Sequence, residues 1–372
     1  MRSNNFLGIV YANVHDDFIP LLTKKRSMSS VPFGARYRLI DFQLSNLVNA
    51  GISKVGIITN SNYRSLMDHV GSGRFWDLDR KRGGLKVLPP FNTAEAGVYT
   101  SHIEALNGTM SFIRACKEEY VVLCDADVVG NFDFAKGIKQ HMKTGADITM
   151  FYAKGRLPKN NNDIAVLTVG EDCRVNEMSF MAQAESVAYS LDIMVLRRDM
   201  LIKLVEKANY EGLTGLCRDI LMPNLNELKV YGFEVSGYAR VIDSMKSYVE
   251  ANMALLDDNI RKDVFAATRP ILTKNRDDMP TRYGINSNVT NSLVADGCII
   301  KGTVKNCIIF RGVNIEEGSV VDDSILMQDT KIGKNCVVKN VITDKRVMIY
   351  DDSTVKGEEE KYKFLEKEST HY

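Results

Sequence analysis

At 372 residues, with 45% hydrophobic and 26% charged residues, the chain has the make-up of an ordinary soluble globular protein and is long enough for two cores rather than one. Its 48 basic and 47 acidic residues leave a formal charge of +1, without the basic excess that binding a phosphate backbone draws on, so nucleic acid is not an expected partner. No apolar run is long enough to cross a bilayer, which argues against a membrane partner.

The opening MRSNNFLGIVYANVHDDF turns polar after a short apolar stretch and has no small-residue cleavage site, so no secretion signal is expected. Phe6 to Tyr11 is apolar without alternation, as in a parallel strand buried on both faces, and Lys54–Thr59, Tyr120–Cys124 and Ile148–Tyr152 repeat the pattern. Between the first two, Ile40, Leu44, Leu47 and Val48 recur at helical spacing, and Asn49-Ala-Gly51 supplies the stop. This β-α-β grammar continues to about residue 258, where Met245, Tyr248, Val249, Met253 and Leu256 mark one face of a last helix. A Rossmann-like, mostly parallel α/β sheet over residues 1–258 is the expected first domain.

Residues 259–285, with Pro270 and Pro280, read as a linker. From 286 to 372 the helical period is replaced by short apolar pairs between Gly, Asn, Asp and Ser. Asn306-Cys-Ile-Ile, Asp323-Ser-Ile-Leu and Asn340-Val-Ile-Thr start at equal intervals, with Asn291-Ser-Leu-Val before them. Inside these units apolar positions step by six: Ile309, Ile315, Val321, then Ile332, Val338. Such a hexapeptide period is what a triangular parallel β-helix requires, each short strand stacking its inward aliphatic on the coil below. A β-sandwich would show sustained alternation and Asn-Gly turns instead. Exposed end coils and strand edges on such a domain predict an oligomer.

The cysteines (Cys116, Cys124, Cys173, Cys217, Cys298, Cys307, Cys336) are scattered, without a C-x-x-C pair, and read as buried thiols of a cytoplasmic protein. His15 and His102 stand in loops and are expected to be solvated rather than catalytic. A hexapeptide acyltransferase would need a histidine on the coils, and His371 at the far end is the one histidine after His141.

Leu22-Thr-Lys-Lys-Arg26, Val31-Pro-Phe-Gly-Ala-Arg-Tyr-Arg-Leu-Ile-Asp-Phe42, Leu44-Ser-Asn46, Val55-Gly-Ile-Ile-Thr59 and Tyr248-Val-Glu-Ala-Asn-Met253 give the chain a specific resemblance to the bacterial ADP-glucose pyrophosphorylases, or glucose-1-phosphate adenylyltransferases. The resemblance covers essentially the whole chain and implies a nucleotidyltransferase domain followed by a left-handed β-helix. Family enzymes join ATP and glucose 1-phosphate, releasing pyrophosphate, with basic groups around the phosphates and a divalent metal held by carboxylates.

Judged by that pattern, the catalytic positions are lost. Tyr11-Ala-Asn-Val-His-Asp-Asp-Phe-Ile19 stands where the family has a Gly-rich loop ending in Arg, so that Asp16 and Asp17 face the expected triphosphate and Phe18 replaces the Arg. Ser27-Met28-Ser29 replaces Ala-Lys-Pro, Ser101-His-Ile-Glu104 replaces the base-binding Gly-Thr-Ala-Asp turn, and Met178 to Gln183 lacks the sugar-phosphate lysine. Ala126, within Cys124-Asp-Ala-Asp127, and Val241, within Arg240-Val-Ile-Asp-Ser244, occupy the two metal-carboxylate positions. No catalytic residue and no metal ligand is therefore assigned. Asp125, Asp127, Ser190, Asp192 and Asp243 are the candidate remnants of a nucleotide pocket, and no cofactor is expected to bind firmly, with Mg²⁺ relevant only to residual activity.

Losing one preorganised group commonly costs about a hundredfold or more in rate, and here several are missing. The pattern resembles the family's D-type subunits, which implies a regulatory partner of a catalytic subunit in glycogen biosynthesis, forming a heterotetramer with it or a homo-oligomer alone. Arg26, Arg36 and Arg38, in the basic cluster that begins at Lys24-Lys25, are candidates to bind a phosphorylated effector. Two other readings stay open: an active sugar-phosphate nucleotidyltransferase with an altered phosphate loop, and a module that senses a nucleotide or sugar phosphate without chemistry.

Overall fold

The computed structural model describes residues 5–90, 99, 101–158, 164–180, 186–358 and 361–372. The uninterrupted apolar run at the start forms strand β1 (Phe6–Tyr11), buried along its whole length. Helix α1 (Leu39–Asn49) follows the predicted period and ends at the predicted stop, where Gly51 adopts φ 78° and the Ile52 amide donates back to the Leu47 carbonyl. Its polar residues are buried as well as its apolar ones. Gln43 and Asn46 donate to the Val128 and Gly130 carbonyls, which fixes the segment beyond the central strand.

The remaining elements of the sheet layer are β2 (Lys54–Ile58), α2 (Arg64–Val70), β3 (Gly84–Leu88), α3 (His102–Gly108), β4 (Tyr120–Asp125), α4 (Phe134–Thr144), β5 (Ile148–Gly155), β6 (Val166–Val169), β7 (Val175–Ser179), β8 (Val187–Arg197), α5 (Arg198–Glu211) and β9 (Val230–Glu234). Among the described residues nine strands form the main sheet, in the order β7-β6-β8-β4-β1-β2-β3, with β5 beside β8 and β9 beside β5. Strands β3, β2, β1 and β4 are parallel, and β8 joins β4 antiparallel. The chain leaves β1 towards β2 and β3, then returns to lay β4 on the other side of β1. That reversal makes the carboxyl ends of β1 and β4 the switch point at which open α/β sheets bind ligands.

Helix α6 (Met245–Ala254) is capped by Ser244, whose hydroxyl accepts from the Ser247 amide. The stretch read as a linker is structured at both ends. Helix α7 (Asp258–Val264) is capped by Asp257, and the strand Arg282–Tyr283 already pairs with Ile299–Ile300, four residues before the expected start of the repeat domain at 286.

Beyond it, three parallel sheets wind a left-handed β-helix. The five aliphatics spaced six apart, Ile309, Ile315, Val321, Ile332 and Val338, all lie in its interior. The residues that open each repeat, Asn291, Asn306, Asp323 and Asn340, all have φ between 43° and 53°. They are the corners, where Asn and Asp tolerate a left-handed backbone that aliphatics resist. Cys298, Cys307 and Cys336 fill the same interior, but Cys173 is exposed on a turn, against the expectation that all seven thiols are buried.

One side of the β-helix packs on the first domain. Ile308, Phe310, Ile325, Met327 and Ile342 share an apolar cluster with Met28, Phe33, Phe42, Tyr248 and Leu255. The segments at Val31–Phe42 and Tyr248–Met253 thus build the seam between the domains, where the Tyr248 hydroxyl donates to the Pro32 carbonyl and the Asn252 side chain accepts from the Gly34 amide. No helix among the described residues is long and apolar enough to cross a membrane.

Candidate functional site

Two cavities are lined by, or lie beside, most of the residues that the sequence singles out. The first, about 480 Å³, lies at the switch point, between the loop after β1, the start of α3 and residues 214–219. Parallel pairing sets Tyr11 opposite Asp125 at the ends of β1 and β4, which places Asp125 and Asp127 directly behind the lining residues His102 and His15. Ala126 turns the other way: its amide donates to the Tyr11 carbonyl and its methyl is buried in the core with Val241. Neither position offers a ligand atom.

The two histidines are not solvated, contrary to expectation. His15 Nδ1 lies 2.8 Å from Asp127 Oδ2, and its ring stacks on Phe18 at 4.6 Å. His102 Nε2 lies 2.5 Å from Asp125 Oδ2, and the two imidazoles are 5.4 Å apart. Three carboxylates meet there, because Asp192, at φ 52° in the bulge of β8, is held by its amide to the buried Ser190 hydroxyl at 3.0 Å. Burial disfavours the imidazolium of His15, but Asp127 and Asp125 outweigh it and push its pKa up to about 10. Burial likewise works against the charge on Asp125, yet His102 and His15 prevail and keep this carboxyl below its usual range. For Asp127 and Asp192 burial wins; the pKa of Asp192 rises to about 7. Crowding three carboxylates leaves one of them firmly ionised.

The loop after β1 reaches this shape through its own polar side chains. Asp16 points away from the cavity and accepts from the Met28 amide at 2.6 Å and from Asn13 at 2.8 Å, so the expectation that it faces a triphosphate is corrected; of the two acids only Asp17 lines the cavity. Asn13 also ties the loop to Asn60 and Ser61. Asp243 lines a separate cavity with Arg156, Tyr189, Arg240 and Lys246 rather than joining the other remnants. In the segment lacking the sugar-phosphate lysine, residues 181–183 lie outside the described residues.

The Mg²⁺ that the resemblance implies needs oxygen ligands in near-octahedral array. The residues present do not fit it: the two family positions are Ala126 and Val241, and Asp125 and Asp127 are bonded to imidazoles. His15, His102 and Asp125 do form a group able to hold a metal, their donor atoms lying within 4.8 Å of one another. Sequence reasoning missed this convergence because the three residues come from separate elements, a loop, a helix start and a strand end.

The second cavity, about 270 Å³, lies in the seam and is lined by Arg36, Arg38, Lys274, Arg276, Arg311 and Lys345, with Asp68 as the one carboxylate of the lining. Arg38 is anchored by the Ser65 carbonyl and hydroxyl. Arg26 is not in the lining. It is buried, with Nη2 donating to both carboxylate oxygens of Asp344 of the β-helix at 2.7 and 2.8 Å, a correction to its expected role as an effector ligand. Burial, then Arg38 and Arg26, lower the pKa of Lys345 to about 7 and outweigh the opposing effect of Asp344. Arg311, Gln328 and Lys345, all in the lining, sit at equivalent places in three successive coils: the Asp329 amide bonds the Arg311 carbonyl and the Arg346 amide that of Gln328. The repeat spacing stacks them, a signal present in the sequence.

Residues 18–177 match the family model of nucleotidyl transferases and residues 279–367 that of GlmU-like C-terminal hexapeptide domains. The glycogen biosynthesis protein GlgD of Bacillus subtilis (strain 168) is 32% identical over 349 residues, 94% of this chain and 92% of that protein. The chain belongs to the glucose-1-phosphate adenylyltransferase family. Enzymes of that name from Bacillus mycoides (strain KBAB4) and Bacillus cereus (strain ATCC 10987) are 33% and 32% identical over 345 residues, 91% of each chain. In this adenylyltransferase family member the switch-point cavity is acidic and imidazole-lined, while the basic groups gather at the domain seam.

Proposed function

We propose that the chain is a non-catalytic or weakly catalytic regulatory subunit of glucose-1-phosphate adenylyltransferase, modulating a catalytic homologue in glycogen biosynthesis. The observation that carries this reading is the pairing of His15 with Asp127 and His102 with Asp125 at the switch point. Catalysis of nucleotidyl transfer needs cationic groups on the phosphates and carboxylates free for the metal. Here Asp125 and Asp127 are paired with imidazoles, and Asp17, Asp192 and Asp219 line the cavity with Arg218 and the two histidines as its basic groups. A triphosphate entering such a cavity meets carboxyl groups already matched with imidazoles in place of a basic loop.

The seam cavity supports the regulatory half of the reading. Arg36, Arg38, Arg311 and Lys345 suit capture of a phosphorylated metabolite, and a ligand bound there touches both domains at once. Binding at the seam can favour one relative placement of the domains, which is what a shift between low- and high-activity states requires. The β-helix is the expected means of assembly with the catalytic homologue.

The test is pyrophosphate release from ATP, Mg²⁺ and glucose 1-phosphate by the purified chain alone and then mixed with a catalytic family member from the same cell. Silence alone with an altered rate or effector response in the mixture is the expected result. Robust turnover by the chain alone, or a mixture that behaves as the catalytic subunit does without it, would overturn the reading.

A further inference from the structure

We infer that His15, His102 and Asp125 form a binding site for a borderline divalent transition metal, Zn²⁺ or its spectroscopic surrogate Co²⁺, in the cavity where the family places a nucleotide. The three donors come from three elements: the loop after β1, the first turn of α3 and the last residue of β4. Their ligand atoms already lie within 4.8 Å of one another. A tetrahedral site with bonds of about 2.0–2.1 Å has its donors roughly 3.4 Å apart, a span reached from here by modest side-chain rotation.

Donor chemistry selects the class of ion. Two imidazole nitrogens and a carboxylate match zinc, cobalt or nickel, whereas Mg²⁺ demands oxygens and keeps much of its water. The surroundings supply outer contacts. Asp127 lies 2.8 Å from His15 Nδ1, the nitrogen that faces Asp125, and can serve as a fourth ligand once that nitrogen binds the ion. Asp192, held by the Ser190 hydroxyl, places a further carboxyl beside the two histidines. A second, independent observation points to a missing ligand: the Tyr11 side chain, 2% exposed, lines the same cavity with its hydroxyl lacking a hydrogen-bond partner among the described residues, its ring 4.6 Å from that of His102. A buried hydroxyl without a partner is costly, and a metal-bound water is one group that satisfies it.

The bound ion would tie the loop after β1 to α3 and β4, closing the cavity floor with a site unlike the family's own. This inference is independent of the regulatory reading, because metal binding is scored on the chain alone and modulation on the mixture.

The experiment is titration of the full chelator-stripped chain with Co²⁺, followed by visible ligand-field absorption and then by displacement with Zn²⁺. One equivalent of Co²⁺ with a ligand-field band that Zn²⁺ removes is expected, unchanged in Cys173→Ser. His15→Gln and His102→Gln should each weaken binding by more than about a hundredfold, beyond the loss typical of an outer contact. Absence of a band in the wild-type chain, meaning that the imidazoles carry protons only, would overturn the inference whether or not the variants fold. So would unchanged affinity in folded His→Gln variants, or a thiolate charge-transfer band that disappears in Cys173→Ser.

Discussion

Replacing Asp344 by Asn tests the seam between the domains. The substitution keeps the shape of the side chain and its acceptor for the Lys345 amide, but removes the charge opposite Arg26, a residue 3% exposed. The guanidinium is then left among cations, since Arg26 already acts with Arg38 to depress the pKa of Lys345. Breaking a buried pair from one side costs about 3–5 kcal/mol. With an unfolding entropy of roughly 2.1 cal/mol/K per residue, 372 residues give about 0.8 kcal/mol/K, so the midpoint of a cooperative thermal transition should fall by about 4–6 °C. Calorimetry of wild type, Asp344→Asn and the double variant Arg26→Met/Asp344→Leu measures it. The double variant should recover to within about 1 kcal/mol, because an apolar pair of similar volume avoids burying either charge. A single variant within about 1 °C of the wild type would refute the claim that the pair holds the domains together.

Phosphate binding in the seam cavity should weaken as pH rises through about 7, where Lys345 loses its proton, and should be accompanied by proton uptake above that pH, both readable by calorimetry in buffers of different ionisation enthalpy. The sign follows from the cation being the binding form. Gly137→Ala, which helix propensity favours by about 1 kcal/mol, should instead destabilise by about 1–2 kcal/mol in a denaturant titration, because the new methyl would sit 2.1 Å from Phe151. Val241→Asp should lower stability by roughly 2 kcal/mol or more without producing pyrophosphate, since residue 241 is 3% exposed in an apolar cluster that also contains Ala126.

Both architectures were legible wherever burial imposes a period. Phe6–Tyr11, buried on both faces, could be written only as an unbroken apolar run, and the stacked coils could be read from aliphatics spaced six apart between Asn and Asp corners. In the loop after β1 the sequence showed the lack of glycine and basic residues. What stands in their place was not legible: the expectation of solvated histidines and of Asp16 facing the phosphates failed because hydrogen bonds to Asp125, Asp127 and the Met28 amide pull those side chains inward. Arg26 and Arg38 stand twelve residues apart in one basic stretch, yet the first is consumed by Asp344 and the second lines a cavity.

The sequence by itself determined the order of elements, the parallel core, the repeat domain and the absence of side chains able to hold magnesium at 126 and 241, because each depends on local period or on residue type at one position. Only the tertiary structure decided which charges meet. The imidazoles of residues 15 and 102, the carboxylates of 125, 127 and 192, and the cations of 36, 38, 311 and 345 are far apart in the chain. They are brought together by strand pairing and coil stacking, whose long-range register is set by packing of apolar surfaces rather than by the charged residues themselves.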